Sequence, residues 1–116
     1  MPIAFNTALT GLRALDIKID VNANNIANAN TDKFKKSRVN MQESVQGGVQ
    51  ATIQQINTPG ISLEANERTG EERESSNVGV AEELVDQIVT QYAFQANVLT
   101  VKTADEMEQT LLDTLS

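Results

Sequence analysis

The sequence predicts a mainly α protein. Two long helices, one near each end, pair as a coiled-coil hairpin around a short middle segment that carries a small β-hairpin and a mobile loop. Three observations carry this expectation. Apolar residues recur at helical spacing over residues 3–29 and again over residues 80–115. Between them the pattern is broken by Gly47-Gly48, by Asn57-Thr58-Pro59-Gly60 and by a charged run. Only 40% of residues are hydrophobic and 3% aromatic, so small and polar side chains dominate, which suits helices packed side by side. The expected division is 1–31 for the first helix, 32–77 for a linker, and 78–116 for the second helix, with the two helical segments forming one inner domain.

The first helix is expected from about Ile3 to Ala29. Phe5, Leu12, Ile19 and Ile26 recur at strict heptad spacing, with Ala8, Leu15, Asn22 and Ala29 at the companion positions. That is the a/d seam of a coiled coil. Gly11 is a weak point, costing about 1 kcal/mol against Ala. Asn22 falls on the seam, where a polar residue costs stability but fixes register.

The second helix is expected from about Val80 to Leu115. Leu84, Ile88, Tyr92, Ala96, Leu99, Thr103, Met107 and Leu111 form one stripe. Steps of four outnumber steps of three, so the stripe leans toward straight or right-handed packing. Gly79 followed by Glu82 reads as a capping box whose cap residue has no side chain, and Glu82 and Glu83 suit the positive end of the helix dipole. Helices of these lengths span roughly 40–54 Å. A lone hairpin leaves one side of each stripe wet, so burial against the partner helix, against other chains, or both, is expected.

In the middle segment, the run from Val49 to Ile56 reads as a strand, the turn at Asn57–Gly60 follows, and the run from Ile61 to Ala65 reads as a short return strand. Residues 66–77 are charged, contain Gly70 and are free of large apolar groups, which reads as a mobile loop.

The residue inventory excludes several chemistries. There is no His and no Cys, so no Ser-His-Asp or Cys-His arrangement exists, and no catalytic, cofactor or metal site is expected. Glu64, Glu67, Glu71, Glu72 and Glu74 do not match calcium-loop spacing, and Arg68 and Arg73 interrupt them. They read as a solvated loop, as does the basic cluster Lys33, Lys35, Lys36 and Arg38. A net charge of -7 argues against nucleic acid and anionic membranes as partners. No apolar run reaches the roughly 20 residues of a membrane span. The first twenty residues lack the basic and apolar regions of a cleaved signal, so any export is expected to proceed without one.

Five Asn crowd the end of the first helix, at Asn22, Asn24, Asn25, Asn28 and Asn30. The run Asn24–Lys36 resembles the signature of bacterial flagellar axial proteins, the rod and hook family, matching it at Asn25, Ile26, Ala27, Asn28, Asn30, Thr31, Phe34 and Lys35. A second resemblance covers Ser76–Leu115, at Ser76, Asn77, Val78, Glu83, Ala93, Phe94, Ala96, Asn97, Thr103, Asp105 and Met107. The chain departs from the family pattern at Lys33, where Gly is usual, at Gly79, where Asp is frequent, and at Tyr92, where Arg is frequent. If the first of these positions needs positive φ, Lys33 is strained.

The resemblance implies a structural subunit of the flagellar rod, self-assembling, torque-transmitting and exported by the flagellar type III apparatus. Its implied location is the periplasmic rod of the basal body, and its implied partners are other axial subunits, itself and the exporter. The short middle segment is closest to a proximal-rod-like subunit, because hook and distal-rod proteins carry larger insertions. The alternative is a soluble coiled-coil adaptor or export-related regulator built on rod-type helices. Asn25, Ile26, Ala27, Asn28, Asn30, Thr31 and Phe34 are the expected assembly motif. The amides of Asn25 and Asn28 are expected to find their partners only where subunits meet. The expected packing seam is Phe5, Leu12, Leu15, Ile19 and Ile26 with Leu84, Ile88, Tyr92, Leu99, Met107 and Leu111.

Overall fold

Two antiparallel helices form the long axis of the molecule. The computed structural model describes Pro2–Ser116, with α1 at Pro2–Ala27 and α2 at Val80–Leu115. The described residues extend 77 × 26 × 17 Å with a radius of gyration of 20.4 Å. A compact domain of this length would have a radius near 13 Å, so the shape is a rod. Among the described residues, no helix is long and apolar enough to cross a membrane.

α1 ends earlier than the apolar pattern continues. The N–H of Asn28 reaches both Asn24 O and Asn25 O at 3.2 Å, and the N–H of Ala29 reaches Ile26 O at 3.2 Å. The last turn therefore tightens and the chain leaves the helix two residues before Ala29. α2 starts at the expected place, with Gly79 extended (φ -96°, ψ 104°) and no side chain closing the cap.

The helices meet along a seam of small and polar side chains. On α1 Ala8, Leu15 and Asn22 are buried at heptad spacing, with Leu12, Ile19 and Ile26 half-buried beside them and Phe5 at the exposed rim. On α2 the matching positions are Glu83, Thr90, Asn97 and Ala104, seven apart, alternating with Gln87, Phe94 and Val101. Thr90 and Ala104 are buried and the rest half-buried. Among the described residues, the fully buried apolar side chains are Ala8, Ala14, Leu15 and Ala104. So thin a core gives the isolated hairpin little to hold it.

Between the helices lie two small antiparallel sheets. β1 (Ser37–Glu43) pairs with β2 (Val49–Gln55), Ser37 opposite Gln55 and Glu43 opposite Val49. β3 (Ser62–Leu63) pairs with β4 (Arg73–Glu74). A hairpin in the middle is present, but its partners differ from the expected ones. The strand beginning at Val49 turns back on Ser37–Glu43, and the run after Gly60 closes the acidic loop instead. The reason is local: Gly47 and Gly48 both hold positive φ (91° and 86°), which makes the tight reversal of a hairpin. At Gly60 a Cβ would lie 2.0 Å from Ser75 O, so that glycine lets the two segments at the base of the molecule approach.

Hairpin β1–β2 lies along α1, tied at two points. The N–H of Val49 donates to Thr10 Oγ1 at 3.0 Å, and Ser37 is held by the amide of Asn25. Fifteen residues of helix rise about 22 Å. Seven strand residues cover about the same distance. The two ties therefore fit one another in length.

Candidate assembly surface

The signature at the end of α1 forms a hydrogen-bonded junction within the single chain. Asn25, with 1% of its surface exposed, donates from Nδ2 to Ser37 O at 2.8 Å and accepts from the Ser37 N–H at 3.0 Å. Its planar amide thus stands in for a neighbouring strand at the start of β1. Asn22 donates to Glu83 O at 3.2 Å and to Asp86 Oδ2 at 3.1 Å, tying the seam, and Lys18 pairs with the same Asp86 at 3.1 Å. Asn28 donates to Asn24 O at 2.9 Å, so its side chain satisfies a carbonyl freed by the helix end. The expectation that Asn25 completes its hydrogen bonds only between subunits is corrected: both of its polar atoms are satisfied inside one chain.

The second signature supplies the other half of the junction. Ser76 donates its hydroxyl to Ala29 O. Asn77 accepts from the Lys36 N–H at 2.6 Å and donates to Ile56 O at 2.7 Å and Thr58 O at 3.0 Å. The chain after α1, the end of β2 and the start of α2 are therefore joined through one side chain. Lys33 donates its N–H to Glu74 O at 2.8 Å and holds φ at 63°, the left-handed conformation expected of a glycine position.

Two ion pairs brace the base. Arg73 donates from Nε to Asp32 Oδ2 at 2.8 Å. This hydrogen bond, with the guanidinium charge, holds the Asp32 carboxyl below its ordinary value and raises Arg73. Lys35 contacts Glu74 at 2.6 Å, and the Gly60 N–H donates to the same carboxylate oxygen at 2.7 Å. The Lys35 hydrogen bond, then that of Gly60, holds Glu74 below its ordinary value.

Of the remaining signature residues, Ile26, Asn28 and Phe34 are half-buried, while Ala27, Asn30 and Thr31 are exposed. Thr31 donates to Asn28 Oδ1 at 3.2 Å.

The α2 half of the expected seam is located elsewhere. Leu84, Ile88, Tyr92, Leu99, Met107 and Leu111 are all exposed, and within one chain they do not form the contact with α1. At 100° per residue, Ile88, Tyr92 and Leu99 fall nearly opposite Thr90, Phe94, Asn97 and Val101, with Leu84 on the flank between the two faces. α2 therefore turns a mostly polar and small face inward, with Phe94 and Val101 its larger apolar members, and the apolar stripe of Ile88, Tyr92 and Leu99 outward, where an ordinary surface helix is polar. The five α1 and six α2 residues expected to form one seam are two surfaces. The inner face escaped detection because Thr90, Asn97 and Gln87 carry no hydrophobic signal; only their spacing of seven marks it.

Comparison with known proteins agrees with these two segments. Residues 5–35 match the family described as flagella basal body rod protein, and residues 73–114 match the family described as flagellar basal body rod FlgEFG protein C-terminal. The chain is 33% identical over 90 residues to the flagellar hook protein FlgE of Borreliella burgdorferi. That alignment takes in 78% of this chain, which spans 18% of the hook protein's length.

Proposed function

The chain belongs to the flagellar rod and hook protein family, and on that premise we propose that it is a structural subunit of the rod. In this reading it assembles with copies of itself and with other axial subunits and transmits torque along the axis. It leaves the cell through the flagellar type III apparatus without a cleaved signal and works in the periplasmic part of the basal body, with no catalytic role.

The observation that carries the reading is the outward stripe of α2. A helix that exposes Leu84, Ile88, Tyr92 and Leu99 together, on a molecule whose own core is four small or aliphatic side chains, is built to be covered by another subunit. The junction around Asn25, Asn28, Asn77 and Phe34 serves this role by fixing how the helices leave the base. It orients the stripe and does not itself need to touch a neighbour. Between the two matched segments only residues 36–72 intervene, and they carry the β1–β2 hairpin and the short strand β3. That supports a short proximal-rod-like subunit over a hook subunit with a large inserted domain.

The test is mass spectrometry of basal bodies purified from cells expressing the chain. Its presence in amounts comparable to other rod subunits supports the reading. Its absence from basal bodies, with the chain abundant in the soluble fraction, overturns it in favour of a coiled-coil adaptor or export-related regulator.

A further inference from the structure

Pro2–Leu12, Ser44–Leu63 and Gln87–Val101 are three of the long stretches of the chain that carry no charged residue. In a sequence in which 22% of residues are charged, the fold brings parts of all three to one level of the rod. The N–H of Val49 on β2 meets Thr10 on α1 at 3.0 Å, and Gly11 on α1 faces Asn97 on α2, where an added Cβ would lie 3.6 Å away. At this level the hairpin and the two helices enclose an open groove of about 480 Å³, lined by Ala4, Thr7, Ala8, Gly11, Met41 and Ala93 among others, none of them charged. On the far side of α2, at the same level, Tyr92 stands 69% exposed between Ile88 and Leu99.

We propose that Tyr92 of one copy, with Ile88 and Leu99 beside it, docks into the groove of a second copy. This rests on the assembly reading and specifies its contact. Three features select a second copy as the occupant. The groove is lined mostly by small residues and the stripe by large ones, so the two surfaces complement each other in size. Both are free of charge, as the core of a protein interface is. A chain of net charge -7 repels its own copies except where such a charge-free band lets them meet without bringing carboxylates together. The stripe and the groove are different surfaces at one level, so the contact is heterologous and lateral. Repeating it arrays copies side by side into a ring or a helix.

Tyr92 is the single tyrosine and there is no tryptophan, so the intrinsic fluorescence reports this site above the weak phenylalanine signal. The experiment follows that fluorescence and sedimentation velocity together, on the full chain across a concentration series. Wild type is expected to associate, with acrylamide quenching of Tyr92 falling as it does. Thr7→Arg places a charge in the groove at an exposed position, so it is expected to leave monomer helicity unchanged and weaken association about tenfold or more. Tyr92→Ala is expected to weaken association to a similar degree. Association with Tyr92 as quenchable as in the monomer overturns the proposal. So does a Thr7→Arg chain that associates as tightly as wild type, which assigns the stripe to stripe-to-stripe pairing. Wild type that stays monomeric at every concentration overturns the second copy as occupant, while the chain's presence in basal bodies still decides the rod reading independently.

Discussion

Asn25 and Ser37 are joined by two hydrogen bonds, one from each end of the Asn25 amide to the main chain of Ser37, at 2.8 and 3.0 Å. The pair fastens the end of α1 to the start of β1 and is buried. Replacing Asn25 with Ala leaves the N–H and C=O of Ser37 without that partner. We expect a loss of about 2–3 kcal/mol in unfolding free energy. Asn28→Ala removes only local bonds on a half-buried side chain and should cost about 0.5 kcal/mol or less. Urea titration followed by circular dichroism distinguishes the two; equal losses would mean that the Asn25 clamp is not the tie that matters.

Lys33 holds φ at 63°. The left-handed conformation costs a non-glycine residue about 1–2 kcal/mol. Glycine would remove that cost but loses about 0.5–1 kcal/mol through its freer unfolded chain. Lys33→Gly should therefore stabilise the protein by about 0.5–1 kcal/mol, read as a raised melting temperature. A lowered melting temperature would show that the Lys33 side chain contributes more than its backbone strain costs.

Gly11 sits inside α1, where glycine costs about 1 kcal/mol against Ala. An added Cβ would meet Asn97 at 3.6 Å, an ordinary contact. Gly11→Ala should raise stability by about 1 kcal/mol in thermal melting. Destabilisation instead would show that the helices at this level cannot accept one methyl group.

Asp32 and Glu74 are both held below their ordinary values, by Arg73 and by Lys35 with the Gly60 N–H. A carboxyl lowered in the folded state contributes stability that is fully present above its unfolded value. That contribution is lost as pH falls through the lowered folded value. Acidification through this range should therefore loosen the base before the helices. Hydrogen exchange measures it: protection of the Lys33 and Ser75 amides, which bond to Glu74 O and Ile61 O, should fall ahead of protection in α1 and α2. Parallel loss at all these amides would contradict this order.

The two helices and a hairpin in the middle were legible because apolar spacing and the Gly47-Gly48 pair are local signals. Strand β1 was not, because Ser37–Glu43 is mostly polar and is fixed by Asn25 from twelve residues away. The inner face of α2 was hidden for a related reason. Thr90 and Asn97 pack inward at heptad spacing, while residues that attract attention, Ile88, Tyr92 and Leu99, point outward. Hydrophobicity marks a surface to be buried, but nothing in it says whether the chain itself or a neighbour does the burying. The junction residues were recognisable as a pattern, while their roles, with Asn25 facing Ser37 and Asn77 joining Lys36 to Ile56, depend on contacts that the fold creates.

As a rod subunit, the protein requires the outward face of α2 to be covered by other subunits. Ile88 and Leu99 are exposed in the single chain, so Ile88→Asp/Leu99→Asp leaves its core untouched. The decisive measurement is the amount of this variant in purified basal bodies, quantified by mass spectrometry against wild type at matched expression. A drop of about tenfold or more is expected, since a charge buried without a partner is costly. Incorporation at the wild-type level would contradict it.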